Sequence, residues 1–247
     1  MTGKDVLSTI LTALREEPRV GPGFTPDKLE LATDGTLTLA GEVQSVAAKK
    51  LALELAAAPA EVLGVLDRLR VATASYMKDK DIRAHLRKFF LAEPAFQGFS
   101  IREAPFGANP AEPAFTPVAA GPETPRGRID VEVRDGVVIL NGEVPGLVSQ
   151  RLAGVMAWWV PGVRDVVNGL EPVPPEEDAP IRIEEAVRIV LDRNPYVDDT
   201  QLRIGARHRV VRLTGAVRSE AERDMAEADA WCVLGVDKVI NEIEVAP

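Results

Sequence analysis

The feature that most constrains this chain is internal repetition. The segments Leu37-Thr38-Leu39-Ala40-Gly41-Glu42-Val43, Val138-Ile139-Leu140-Asn141-Gly142-Glu143-Val144 and Val211-Arg212-Leu213-Thr214-Gly215-Ala216-Val217 repeat one pattern, a strand ending in Gly-x-Val. Sixteen residues beyond the three glycines stand Ala57, Trp158 and Trp231, and 21 beyond stand Val62, Val163 and Val236, with no gap needed. A sequence that holds register this long is built from copies of one small unit.

Upstream, Pro18, Pro94 and Pro195 each close an apolar-periodic helix. Its stripe is Val6, Ile10 and Leu14 in the first copy, Ile82, Leu86 and Phe90 in the second, and Ile183, Val187 and Leu191 in the third. Spacings of four place these residues on one helical face. Asp34-Gly35 and Asp135-Gly136 are hairpin signals, because glycine tolerates positive φ. In the third copy His208-Arg209 stand there instead. Alanines four apart (Ala52 and Ala56, Ala153 and Ala157, Ala226 and Ala230) predict a second helix lying close on its sheet. Closing strands follow at 65–71, 166–170 and 239–245, with Asp67, Asn168 and Asn241 at equivalent positions. Each unit reads helix, strand, turn, strand, helix, strand.

The predicted fold is therefore α+β, with three tandem αββαβ modules, each a small mixed sheet carrying two helices. The modules are expected at 1–74, 78–172 and 179–247, joined by short spacers, the second stiffened by proline. The middle module carries an insertion at 105–128, where six prolines and three glycines argue against a helix or a central strand. It is read as an ordered flap or a mobile loop. Gly41, Gly142, Gly162, Gly215 and Gly235 are structural glycines in this scheme. Gly142 and Gly215 are expected to refuse bulky residues because the backbone must turn there toward the alanine-striped helix.

Composition narrows the functional classes. With 29 Lys and Arg against 38 Asp and Glu, the net charge of −9 repels bare phosphate backbones, so no nucleic-acid partner is expected. One cysteine, Cys232, cannot form an intrachain disulfide. No run approaches the roughly 18 to 20 apolar residues of a spanning helix, and residues 1–14 are too polar for a signal sequence. A cytoplasmic location is expected, or a periplasmic one if a leader has been removed. The only histidines, His85 and His208, lie in separate units, so neither a nucleophile-base pair nor a zinc site is expected, and no phosphate-binding glycine loop occurs. Catalytic residues, metal and cofactor are all expected to be absent.

Three groups remain as contact candidates. Arg203, Arg207, Arg209, Arg212 and Arg218 crowd one hairpin with no acid between 203 and 219, which makes Arg207, His208, Arg209 and Arg212 candidates for an anion-contacting tip. The reading preferred to it is neutralisation by Glu220, Glu222, Asp224, Glu227 and Asp229 on the following helix. Trp158 and Trp231 occupy matching positions on second helices. The acids one and two turns before Trp231 suggest that it starts on the exposed side and is covered by a neighbouring unit, a subunit or another partner. Val137 and Ile139 are an apolar pair on the sheet face turned away from the helices, a face that is polar in the first module, so they too require a cover.

The repeat resembles the BON domain family, small bacterial αββαβ modules marked by strand-Gly-x-Val, an alanine-bearing helix, and Gly-Val-x-x-Val-x-Asn. Gly142-Glu143-Val144 with Gly162-Val163-Arg164-Asp165-Val166-Val167-Asn168 carries the second copy, and Gly215-Ala216-Val217 with Gly235-Val236-Asp237-Lys238-Val239-Ile240-Asn241 the third. The first copy departs, with Glu61-Val62 for Gly-Val and Asp67 for asparagine. The resemblance implies a non-enzymatic binding module, often for phospholipid surfaces in envelope and stress-response proteins. The expected function is thus a binding scaffold contacting lipid headgroups or a protein partner. The alternative is a structural protein that homo-oligomerises through open sheet faces or its tryptophan-bearing helices.

Overall fold

The computed structural model describes residues 3–21, 23–105, 107 and 114–246. In the first module, α1 (Gly3–Glu16) buries Val6, Ile10 and Leu14, the stripe its spacing requires. A hairpin of β1 (Lys28–Leu31) and β2 (Thr36–Val43) follows, with Leu37 and Leu39 turned inward and fully buried. Ser45 caps α2 (Val46–Ala57), its hydroxyl accepting from the Ala48 amide, and Ala48, Ala52 and Ala56 let the helix lie close on the sheet. The closing strand β3 (Gly64–Val71) runs parallel to β2, giving the order β1-β2-β3 with β1 antiparallel.

The third module repeats this plan with α5 (Pro180–Arg193), β9 (Leu202–Arg207), β10 (Val210–Val217), α6 (Glu220–Cys232) and β11 (Lys238–Val245). Its sheet order is β11-β10-β9. The second has α3 (Asp79–Ala92), β4 (Phe99–Glu103), β5 (Thr116–Pro117), β6 (Gly127–Arg134), β7 (Val137–Val144), α4 (Leu147–Trp158) and β8 (Asp165–Pro172). Its sheet has five strands, β5-β4-β6-β7-β8. The architecture is α+β.

Two strands are added to the expected three, β5 within the insertion and β4 from a segment that sequence reasoning left without a strand. Phe99 and Ile101 alternate with polar neighbours and are buried, so β4 joins the sheet beside β6, in parallel. The 105–128 boundary also needs correction, because β6 begins inside it at Gly127, where a Cβ would stand 2.9 Å from the Phe99 ring. Residues 106 and 108–113 of the insertion lie outside the described residues.

Gly142 and Gly215 adopt φ of 123° and 119°. The reason differs from the one expected: a Cβ would lie 2.2 Å from the Arg128 carbonyl oxygen and 2.0 Å from that of Gln201. The backbone at or just before the neighbouring antiparallel strand occupies that space, not the helix. At Gly41 the nearest atom is 3.3 Å away, so the first module is less constrained.

The family asparagine acquires a physical role here. Asn168 accepts from the Leu170 amide at 3.3 Å and donates to the Gln150 carbonyl at 2.7 Å, tying the closing strand to α4, while Gln150 donates to the Leu170 carbonyl. Asn241 does the same for α6 through the Ile243 amide and the Arg223 carbonyl. Asp67 still accepts from the Leu69 amide but has no N–H to donate. Lys49, at the position of Gln150, compensates: its buried ammonium reaches the Asp67 carboxylate and the Leu69 carbonyl, both at 2.8 Å. The departure at Asp67 is a paired substitution that keeps helix and strand clasped.

By compactness the chain forms two units, Met1–Ala72 and Thr73–Pro247, the latter holding both the second and third modules.

Candidate functional site

Within the larger unit, α4 packs on both α5 and α6, so the helical layers of modules two and three meet. Residues 151–157 of α4 are all buried, since the helix packs on its own sheet as well as on α5 and α6. Arg151, only 2% exposed, crosses into module three: its Nε donates to the Leu234 carbonyl at 2.7 Å and its Nη2 meets Asp178 of the spacer at 2.5 Å. Its Nη1 is buried with no hydrogen-bond partner among the described residues.

A second polar contact centres on Asp229 of α6, which accepts from the Trp159 indole at 2.7 Å and from the Asn194 amide at 2.6 Å. Burial pushes the Asp229 carboxyl above its ordinary value, and the two donors hold the rise in check. A third contact joins Arg193, ending α5, to the buried Glu93 after α3, at 3.2 Å. These donors and acceptors fix the direction in which two otherwise apolar helix layers meet.

The tryptophan whose indole donates across the two modules is Trp159. Trp158 is half-buried. Trp231 is 1% exposed, and the Glu227 carboxylate one turn earlier accepts from its indole at 3.3 Å. Trp159 was visible in sequence only as the neighbour of Trp158, aligned with Cys232 and Ala58.

Three of the five arginines of the hairpin are neutralised, by other acids than those anticipated. His208 and Arg209 hold positive φ in a two-residue turn, where the second module uses Asp135 and Gly136. Arg209 pairs with Asp237 at 2.7 Å, Arg212 with Glu242 of β11, and Arg218 with Asp198 at 3.2 Å. Most of these carboxylates come from the closing strand and its approach, because β11 lies beside β10 whereas α6 covers the opposite face. Val137 and Ile139 are half-buried on the outer face of the middle sheet, opposite Arg134 and Glu132, which pair with each other. Val167, opposite Ile139 on β8, is 50% exposed.

A shallow groove of about 240 Å³ lies between the end of α3 and residues 118–122, floored by Phe90, Phe96 and Phe99. Among the described residues no group of three or more His, Cys, Asp or Glu is placed to hold a metal, and no helix is long and apolar enough to cross a membrane.

A search of solved structures finds CdsD, described as a structural protein of the type III secretion system of Chlamydia trachomatis. Its C-terminal domain is 13% identical, with all of both chains covered and a TM-score of 0.25. A second CdsD structure is 14% identical over 98% of this chain and 93% of its own, also at 0.25. Such scores carry no functional argument. Curated proteins yield no match. The BON domain profile matches three times, at residues 6–73, 118–174 and 182–247, following the three sheets and skipping α3 and β4. With its clasped closing strands and strand-end glycines accounted for, this chain belongs to the BON domain family, whose members are binding modules, and carries three of them in tandem.

Proposed function

We propose that the chain is a non-enzymatic scaffold that presents BON sheets to a protein partner. The observation that carries this reading is the use of helix faces: modules two and three spend theirs on each other, through Arg151, Trp159 and Arg193, so their sheets and sheet edges remain for outside contact. A rigid pair of sheets suits holding a macromolecule better than turning over a small one. The lipid-headgroup reading has weaker support, because the hairpin arginines Arg209 and Arg212 already hold carboxylates and the whole chain is acidic.

Vesicle flotation with phosphatidylcholine, alone and mixed with phosphatidylglycerol, beside light-scattering mass measurement, tests the proposal. The scaffold reading expects a monomer that stays off both vesicles. Flotation with the anionic vesicles that is lost on changing Arg207 and Arg209 to serine would overturn it in favour of headgroup binding. A stable dimer or larger species would overturn it in favour of self-assembly.

A further inference from the structure

The three modules differ most at the strand flanking the central one, namely β1, β6 and β9. Register makes the comparison exact to the residue. On the outer face, Asp130, Glu132 and Arg134 of β6 lie opposite Asn141, Ile139 and Val137, and Arg203, Gly205 and Arg207 of β9 lie opposite the equivalent Thr214, Arg212 and Val210.

In the second module every one of these charges is answered. Arg134 pairs with Glu132, and Asp130 is gripped by Arg102 of β4 through two contacts of 2.5 and 2.6 Å. In the third module the place of Glu132 is taken by Gly205, whose missing side chain leaves open space, and the place of Asp130 by Arg203. The side chains of Arg203 and Arg207 are exposed and make no ion pair or hydrogen bond among the described residues. The inner face tells the same story. Ile129, Val131 and Val133 of β6 are buried beneath a sheet that β4 extends with Phe99 and Ile101, whereas the equivalent Leu202, Ile204 and Ala206 remain half-exposed at an edge where, among the described residues, no strand follows β9.

We propose that the free edge of β9 docks an extended acidic segment of a partner protein, with carboxylates alternating with apolar side chains. The proposal rests on the scaffold reading and names its partner chemistry. The second module supplies the precedent within the same chain, since β4 lies on β6 in the way the partner lies on β9. The charges are exchanged: Arg102 of the added strand meets Asp130 there, and a partner carboxylate meets Arg203 here. A second carboxylate enters the gap above Gly205 and answers Arg207, as Glu132 answers Arg134. Backbone pairing supplies affinity, while the two arginines and the half-exposed Ile204 select the sequence. Module one offers no such edge, because β1 has only four residues and its Lys28 and Glu30 pair with each other at 2.9 Å. A narrow strand meets only the cationic strip, whereas an anionic bilayer meets the field of the whole acidic molecule.

Fluorescence anisotropy with the full chain and a short labelled peptide of alternating glutamate and valine is the test. Saturable binding at low salt is expected, weakening about tenfold or more when Arg203 and Arg207 are both changed to glutamate. That variant should instead take a second labelled peptide, of alternating lysine and valine. Gly205→Glu, which has room for its side chain and supplies the missing carboxylate internally, should also lose the acidic peptide while keeping the parent melting curve. A backbone N-methylated copy of the acidic peptide retains its charges but cannot ladder, and should not bind.

Absence of saturable binding would overturn the proposal and leave Arg203 and Arg207 as guards against edge-to-edge aggregation. Equal binding of the N-methylated peptide, or unchanged binding by Gly205→Glu, would overturn it as well. Flotation on phosphatidylglycerol vesicles through the same arginines would defeat both this proposal and the scaffold reading. A monomer that avoids vesicles and ignores both peptides would defeat this one alone.

Discussion

The first module and the fused pair share a topology and differ in what their second helices are asked to cover. On α4 Arg151 and Val155, one turn apart, are buried, and Arg151 reaches the Leu234 carbonyl of the third module. The equivalent positions on α2 are Lys50 and Glu54, and Glu54 is exposed. The inward alanine stripe is common to both helices. One face of the helix therefore encodes the BON fold, and the opposite face of α4 encodes its fusion with the third module.

The strongest way to break this comparison is at what the modules share. Gly142→Val or Gly215→Val should cost about 3 kcal/mol or more, a fall in Tm of roughly 10 °C, since positive φ and a neighbouring carbonyl both exclude the side chain. Gly41→Val should cost clearly less, given its looser surroundings. Thermal melts of the three variants check the ranking, and an equal loss at all three would show that the closer approach at Gly142 and Gly215 does not matter.

Next in size is the contact that only the pair possesses. Arg151→Ala removes a buried cation together with the donor to Leu234 and should destabilise the larger unit by about 3 kcal/mol. Arg151→Met preserves volume, abolishes the unsatisfied Nη1, and should cost much less. Hydrogen exchange would locate the damage: faster exchange in α4 and α6, with α2 unchanged. Exchange that rises equally in α2 would mean that the first module depends on the same contact.

A double-mutant cycle sharpens the comparison at the clasp. Lys49→Gln or Asp67→Asn alone should each cost about 1 to 2 kcal/mol by leaving a buried group without its mate. The double variant installs the pair of the second module and should return most of the loss. Additive losses, measured by urea unfolding, would refute the equivalence of the two clasps.

The smallest expected effect is a gain. Arg209→Gly should raise Tm by a few degrees, because φ of 64° suits glycine and the exposed ion pair with Asp237 adds little. A lower Tm would show that this pair carries more weight than its exposure suggests.

What the sequence made legible was whatever repeats. Periodicities of 3.6 and 2 and the Gly-x-Val register marked the helices and paired strands, since those signals arise locally and occur three times. The strand β4 was missed because it occurs once, five residues long and immediately before a proline-rich stretch. The fusion of modules two and three was missed because it depends on single residues far apart in the chain: Arg151 reads as a charged helix surface until Leu234 is brought to it. The arginine hairpin was recognised as basic, but its neutralising acids were sought on the adjacent helix, when parallel pairing of β10 with β11 brings Asp237 and Glu242 instead. The Asp67 departure looked like degeneration, because Lys49 lies 18 residues earlier and pairs with it only through the crossover.

The Arg151 contact also bears on how the chain is made. Its carbonyl acceptor lies 83 residues downstream. During synthesis the first module can close as soon as β3 has left the ribosome, but the second emerges with α4 still uncovered and a guanidinium without its acceptor. It must wait through the whole of module three before that face is covered. A ribosome-bound chain stopped near residue 175 should accordingly hold a folded first module and an adhesive second one, making the interval between the two modules the period in which the nascent protein most needs a chaperone.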